Sequence, residues 1–248
     1  MLAKFSCATV YRRTNAPQWK EMDSVACSGA TTIELPLWCW NFNCGMSFGE
    51  FMKAQKTTPQ GRAPTAATAL VILDLISEYK FPHADDILKV AARVAGQVAR
   101  LKQRVAAAAL PVIYVNDTAG RWEGDQSAFV ARCRADSAKG SAVVRLIEPT
   151  PADYFMFKPR HSGFYSTPLR HLLETLGTQT LILTGITSHQ CVLFTAMDAY
   201  VRDYRLIVPS DCIGSASALH TRHALLVLQE SLKAKTAVSA SVRLTTRR

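Results

Sequence analysis

Residues 69–75, ALVILDL, form a continuous apolar run of strand length, and they are followed by HADDILKVAARVAGQVARLKQRVAAAAL at 83–110 and PVIYVND at 111–117. The second stretch repeats apolar residues at spacings of three and four, begins with acidic residues and ends among bases, which is typical of a long amphipathic helix. The first and third stretches are predicted strands. A strand, a helix and a second strand in this order indicate two parallel strands joined by a helix.

The same alternation continues along the chain. Further strands are predicted at 154–158 (YFMFK), 180–186 (TLILTGI) and 205–211 (RLIVPSD), with a weaker sixth at 237–244 (AVSASVRL). Helical stretches are predicted between them, at 126–138, 168–176, 191–203 and 217–234. Strands that are apolar on both faces and alternate with helices indicate a mainly parallel sheet covered on both sides. We therefore predict an α/β fold, a three-layer α/β/α sandwich with a sheet of about six strands.

Residues 1–65 differ from the rest of the chain. The stretch CSGATTIELPLWCWNFNCGMSFGEF at 27–51 shows neither helical nor strand periodicity, and KAQKTTPQGRAPTAAT at 53–68 has the composition of a polar linker. We therefore expect a poorly ordered extension and linker over 1–65 and a folded domain over 66–248. Met52 is a natural start for the protein, whereas the arginines at 12 and 13 leave a targeting segment open.

Charge, hydropathy and cysteine content limit the classes of function. The net charge of +10 favours the binding of anions, but the basic residues are interspersed with acidic ones. Neither zinc-finger spacing nor an aromatic-basic RNA signature is present. We therefore expect no nucleic-acid partner, and no membrane association either, because no apolar run approaches the roughly 20 residues that span a bilayer. The seven cysteines are odd in number and no secretory leader is recognised, so we expect a cytoplasmic protein without disulfides.

Polar residues follow the predicted strands at the edge where parallel sheets bind their ligands. Asp74 ends the first strand, Lys158 ends the third, and Cys191 follows the fourth at the start of a predicted helix. A helix N-terminus and a nearby ammonium group would lower the pKa of the thiol, and a carboxylate can take its proton and return one to a leaving amine. A buried apolar cysteine, a turn-capping aspartate and an exposed lysine are the alternative interpretation.

The local contexts of these three residues resemble one family. ALVILDL, FMFKPRHSGFYSTPL at 155–169 and LILTGITSHQCVLFTAMDAYVRDY at 181–204 together resemble the isochorismatase-like cysteine hydrolases, a superfamily that includes nicotinamidases and other small-amide hydrolases. This resemblance implies a catalytic triad of Asp74, Lys158 and Cys191. It also implies a cis peptide bond between Ile186 and Thr187 and an oxyanion hole formed by the backbone N–H groups of Thr187 and Cys191.

Two departures from the family pattern bear on the activity. Isochorismatases that cleave a vinyl ether typically lack the cysteine, so Cys191 favours cleavage of a C–N bond through an acyl-enzyme. A vinyl-ether hydrolase and a non-catalytic protein that binds a ligand or partner remain alternatives. Nicotinamidases carry an Asp-x-His metal motif after the second strand, whereas NDTAGRWEGD at 116–125 contains no histidine. We therefore expect no metal and no other cofactor.

Several side chains near the strand ends are candidates for contact with a small-molecule substrate: Asn116, Trp122, His161, Phe164, Tyr165 and His189. Trp122 is expected either to cover the site or to pack on a neighbouring copy of the chain, since we expect a homo-oligomer. The two aromatic residues after His161 are equally typical of a core, and His161 of a loop anchor. His189 precedes Cys191 by two positions, so on a helix the two side chains would lie on different faces.

Overall fold

The computed structural model describes residues 11–13, 19–21, 66–117 and 125–244. The chain divides into two compact units, Met1–Pro59 and Gln60–Arg248. In the first unit the described residues form an antiparallel pair of strands, β1 (Tyr11–Arg13) and β2 (Trp19–Glu21). The rest of residues 1–65 lies outside the described residues, so the predicted extension and its boundary at residue 65 remain predictions.

The second unit alternates strands and helices as the sequence predicts. Its first half contains β3 (Thr68–Leu73), α1 (Ala84–Ala107), β4 (Val112–Asp117), α2 (Gln126–Arg134), α3 (Ser141–Leu146) and β5 (Tyr154–Lys158). Its second half contains α4 (Leu169–Thr175), β6 (Thr180–Ile186), a π-helical turn (Ser188–Val192), α5 (Leu193–Tyr200), β7 (Arg205–Ile207), β8 (Ile213–Gly214), α6 (Ala218–Glu230) and a 3-10 turn (Ser239–Ser241). Periodicity did not predict the short helix α3 or the two-residue strand β8.

The six strands of this unit form one sheet in the order β5-β4-β3-β6-β7, with β8 also paired to β6, and every pair is parallel. All residues of the central strand β3 are buried. Leu70 and Ile72 pack in one apolar cluster with Val94 of α1, whereas Val71 and Leu73 pack in a second cluster with residues of α4, α5 and α6. The predicted three-layer α/β/α sandwich is confirmed.

The prediction of a strand at 237–244 is wrong, and the sixth strand is β8 instead. The side chain of Asp211 accepts hydrogen bonds from the backbone N–H and the hydroxyl of Ser239, both at 2.7 Å. Arg104 donates to the carbonyl groups of Ser239 at 2.8 Å and Val242 at 2.6 Å. Because side chains bind the polar backbone groups of this segment, it forms a tight turn and does not extend the sheet.

The order of the strands fixes where a site can form. From β3 the sheet continues to β4 on one side and to β6 on the other, so a crevice opens at the carboxyl ends of β3 and β6. Asp74 directly follows β3, and the π-helical turn follows β6 after a single residue, Thr187. Within the described part of the chain, no helix has the length and apolar character to cross a bilayer.

Candidate active site

Asp74 is held by the backbone of the neighbouring strand. It has a φ of 54°, in the left-handed region that aspartate tolerates better than most residues. Its N–H donates to the carbonyl of Val115 at 3.3 Å, and its Oδ1 accepts from the N–H of Asp117 at 2.7 Å. Both partners belong to β4, so the end of that strand orients the carboxylate.

Lys158 joins the other two candidate side chains. It is the last residue of β5, and its side chain is completely buried. Its Nζ lies 2.8 Å from Oδ2 of Asp74 and 3.4 Å from Sγ of Cys191, and it donates to the carbonyl of Arg160 at 3.2 Å. The structure thus brings together the three residues that the sequence singled out, although each one ends or follows a different strand.

Cys191 lies in the π-helical turn and not in the first turn of a regular α-helix. The peptide bond between Ile186 and Thr187 is cis, as the family resemblance implies. The carbonyl of Thr187 then accepts hydrogen bonds from the N–H groups of Gln190 and Val192, both at 3.2 Å. Thr187 and Cys191 are therefore parts of one tightly bonded turn at the end of β6.

The sequence led us to expect a lowered pKa for the Cys191 thiol, but in the structure this pKa is raised. Burial raises the pKa of Cys191 to about 12, the negative charge of Asp74 adds to this effect, and Lys158 opposes it without outweighing it. Burial also raises the pKa of Asp74, against the attraction of Lys158. Burial alone would lower the pKa of Lys158, but Asp74 and Cys191 reverse this and raise it. The resting site therefore contains a neutral thiol beside a charged lysine.

Asp74 and Cys191 both line a cavity of about 570 Å³ (hereafter the Cys191 cavity). Asn116 also lines it, and its Nδ2 donates to the carbonyl of Ile76 at 2.6 Å. His161 lines it as well, with Nδ1 3.9 Å from Sγ of Cys191. Two of the predicted substrate contacts are thus placed at the cavity.

The other predicted contacts lie elsewhere. Phe164 is buried in the core, with its ring centroid 6.0 Å from that of Tyr204, and Tyr165 is exposed on the surface. Neither is among the described residues that line the cavity. His189 is likewise absent from that lining, and its Nδ1 lies 2.8 Å from Oγ of Ser215, so it points to a different side from Cys191, as helical spacing predicted. Trp122 lies outside the described residues.

One wall of the cavity was not predicted from the sequence. It is formed by the segment after β3, which includes Glu78 and Lys80, and by Phe129 and Arg132 of α2. The carboxylate of Glu78 lies 2.8 Å from Nζ of Lys80 and 3.1 Å from Nε of Arg132. Residues 76–82 have no periodicity, and Arg132 is 54 positions away from Glu78, so no local pattern indicated this pairing.

The expectation that the site holds no metal remains a prediction. Within residues 66–117 and 125–244 no three His, Cys, Asp or Glu side chains are grouped so that they could hold a metal ion. Residues 118–124, where nicotinamidases carry part of their metal motif, lie outside the described residues.

Sequence comparison assigns the chain to a family. The isochorismatase domain family matches residues 68–240. The chain belongs to this family, and it is a hydrolase. The chain is 36% identical over 170 residues to the uncharacterized isochorismatase family protein YaaI of Bacillus subtilis. The aligned region covers 68% of this chain and 93% of that protein. The chain is 31% identical over 176 residues to the ureidoacrylate amidohydrolase RutB of Methylobacterium radiotolerans, covering 61% of this chain and 68% of that protein.

Two solved structures share the fold of this chain. The N-carbamoylsarcosine amidase from Thermoplasma acidophilum superposes with a TM-score of 0.56 at 27% identity, over 71% of this chain and 98% of that one. A nicotinamidase from Staphylococcus aureus superposes with a TM-score of 0.54 at 22% identity, over 69% of this chain and 99% of that one. The second likeness shows the fold alone.

Proposed function

We propose that this family member is a cysteine hydrolase that cleaves a C–N bond of a small amide, with Cys191 as nucleophile and Asp74 and Lys158 as its catalytic partners. The observation that supports this most is the position of Lys158 Nζ, 2.8 Å from Asp74 and 3.4 Å from Cys191 beside a cavity. The names of two similar proteins, an amidohydrolase and an amidase, support the choice of amide substrates.

The raised pKa of Cys191 determines the first step. Since the resting thiol is protonated, it has to lose its proton as Sγ forms a bond to the carbonyl carbon. Asp74 accepts this proton, and its own raised pKa makes it a suitable acceptor. Lys158 remains charged, so it stabilises whichever of the two neighbours is negative.

The remaining steps return the proton. The backbone N–H groups of Thr187 and Cys191 donate to the oxyanion of the tetrahedral intermediate. Asp74 then protonates the leaving nitrogen as the C–N bond breaks, which leaves a thioester on Cys191 and releases the amine. A water molecule attacks the thioester and gives one proton to Asp74. Collapse of this second intermediate breaks the C–S bond, and Asp74 returns the proton to the sulfur, so acid product leaves and the site is restored.

The Cys191 cavity limits the size of the substrate. A volume of about 570 Å³ lies in the range of pockets that bind small molecules. We assign Asn116 and His161 to substrate contact because both line this cavity and His161 lies beside the sulfur. Primary amides, N-carbamoyl compounds and ureido compounds are all compatible with the chemistry.

A panel of these amides, assayed by release of ammonia, tests the proposal. We expect Cys191→Ala to abolish turnover of any substrate that the panel identifies, and mass spectrometry to detect an acyl group on Cys191 during turnover. Cys133→Ala is the matched control, because Cys133 is buried in the core among α1, α2 and β4 residues and is not among the described residues that line the cavity. Turnover that survives in Cys191→Ala would overturn the proposal.

A further inference from the structure

A pair of side chains lies behind the turn that carries Cys191. Oγ of Ser215, which follows β8, lies 2.5 Å from Oγ of Ser188 and 2.8 Å from Nδ1 of His189. Ser188 and His189 are the first two residues of the π-helical turn. Both serines are buried, with exposed fractions of 0% and 3%. One hydroxyl group therefore contacts two consecutive side chains of the turn.

The first turn of α6 completes this arrangement. Oγ1 of Thr221 accepts a hydrogen bond from the N–H of Ser215 at 3.0 Å and lies 3.3 Å from Oγ of Ser188. The ring of His220 packs against that of His189, with a centroid distance of 4.4 Å. The turn is thus bonded to two separate parts of the chain, the residue after β8 and the start of α6.

The hydrogen-bonding capacity of these groups fits their contacts. A serine hydroxyl has one proton and can accept further bonds, and a neutral imidazole has one donor and one acceptor nitrogen. Burial lowers the pKa of His189, and the nearby His220 and His161 add to this effect, so the ring is neutral at neutral pH. Ser188, Ser215 and His189 can therefore form a connected chain of hydrogen bonds without a charge.

We propose that Ser215 and His189 are positioning residues, which hold the π-helical turn so that the Cys191 thiol and the N–H groups of Thr187 and Cys191 face the substrate together. Ser188 and His189 lie between Thr187 and Cys191 in the chain, so a shift of either residue moves the oxyanion site relative to the sulfur. Neither Ser215 nor His189 is among the described residues that line the Cys191 cavity, so they act through the turn. The inference rests on the proposed function of Cys191.

Substitutions that remove the contact to Ser215 test the proposal. In Ser215→Ala and His189→Leu we expect kcat to fall by up to about 100-fold, since a displacement of about 1 Å at a reacting group can have this effect. KM should stay within about twofold, because neither side chain is placed at the substrate cavity. His189→Asn should keep most of the wild-type kcat, because the asparagine amide has a polar atom at the same distance from Cβ as Nδ1 of histidine.

The matched control is Ser217→Ala. Ser217 lies two positions after Ser215 in the same loop, and as N-cap of α6 its side chain makes no capping hydrogen bond. We expect wild-type kcat and KM in this variant. All variants are assayed in the full chain, with the amide that the panel identifies.

The outcomes separate this inference from the proposed function. Turnover in Cys191→Ala would overturn the proposed function itself. If Cys191→Ala is inactive while Ser215→Ala and His189→Leu both keep kcat within about twofold of wild type, only the positioning role is wrong. If Ser215→Ala does not fold, the two substitutions of His189 decide: equal kcat in His189→Leu and His189→Asn overturns the proposal, and a higher kcat in His189→Asn supports it.

Discussion

Lys158 Nζ lies 3.4 Å from Sγ of Cys191, and yet the pKa of this thiol is raised to about 12. Burial outweighs the attraction of one ammonium group, and Lys158 already pairs with Asp74 at 2.8 Å. Two acids thus compete for the stabilisation that one cation offers. The site holds its proton on the sulfur at rest and has a carboxylate beside it that can accept this proton during attack.

The first prediction concerns alkylation of Cys191 by iodoacetamide as a function of pH. In the wild-type protein the rate should rise only above the reference thiol pKa of about 8.5, because the raised pKa leaves little thiolate at neutral pH. Asp74→Asn should move the profile to lower pH, since it removes the negative charge that raises the pKa of the thiol. The same variant should have no turnover, because an amide cannot accept the proton.

Lys158→Met is a control that should shift the pH profile in the opposite direction from Asp74→Asn. It removes the positive charge that lowers the pKa of the thiol, so the profile should move to higher pH. Peptide mass spectrometry separates the signal of Cys191 from that of the buried Cys133 and Cys212. A wild-type profile with its midpoint below about 8.5, or an unchanged profile in Asp74→Asn, would contradict this account of the site.

The second prediction concerns metal. The residues 116–125, where nicotinamidases carry an Asp-x-His motif, contain no histidine in this chain. We therefore expect hydrolysis of the identified amide to continue at the wild-type rate after exhaustive chelation and gel filtration. Activity lost on chelation and recovered with zinc or manganese would show that other residues bind a metal.

Much of the fold was predictable because it depends on local pattern. The run at 69–75 and the helical repeat at 83–110 each bury their apolar residues as their periodicity indicates, and together they fix the β3-α1-β4 unit. The positions of the three candidate catalytic residues were also predictable, because each ends or shortly follows a predicted strand. The segment 237–244 has a strand-like composition, but contacts with Asp211 and Arg104 determine its shape.

Features of the site that depend on distant contacts were not predictable. The sign of the pKa shift of Cys191 follows from its partial burial and from the charge of Asp74, and no local sequence pattern records either of these. The pairing of Glu78 with Arg132 joins a loop to a helix that follows the next strand. The position of His189 was predicted only as a different face from Cys191, and its contact with Ser215 depends on β8, a strand of two residues that lacks periodicity.

The third prediction concerns a buried ion pair away from the site. Nζ of Lys102 lies 2.7 Å from Asp153 and donates to the carbonyl of Glu148 at 2.8 Å, and the two charged side chains are only 12% and 6% exposed. Lys102→Met leaves the Asp153 carboxylate without its cation and, among the described residues, with only the N–H and hydroxyl of Thr150 as donors, at 2.7 and 3.0 Å. We expect the free energy of unfolding to fall by about 3–5 kcal/mol, measured by urea denaturation.

Lys139→Met provides the comparison for this pair. Nζ of Lys139 lies 2.7 Å from Asp85, the same distance as in the buried pair, but both side chains are largely exposed. We expect almost no change in unfolding free energy there, because water replaces the lost partner. Equal destabilisation in both variants would show that burial is not the reason for the effect at Lys102.

The last prediction concerns the contact between β3 and β6 next to the site. Gly185 has a φ of +119°, and a Cβ placed on it would lie 2.0 Å from the carbonyl oxygen of Leu73. In Gly185→Ala the two strands have to separate directly before Asp74 and before the turn that carries Cys191. We expect a loss of about 3 kcal/mol or more in unfolding free energy, from overpacking and from the unfavourable φ, together with loss of turnover.

Gly96→Ala is the matched control, since Gly96 lies within α1 and a Cβ there would meet no atom within 4 Å. Alanine loses less conformational freedom than glycine when a helix forms. The unfolding free energy of this variant should therefore rise by about 0.5–1 kcal/mol, and its activity should be unchanged. Urea denaturation of both variants beside the wild type measures the difference. If Gly185→Ala unfolds at the same urea concentration as the wild type, the close approach of β6 to Leu73 is not required for stability.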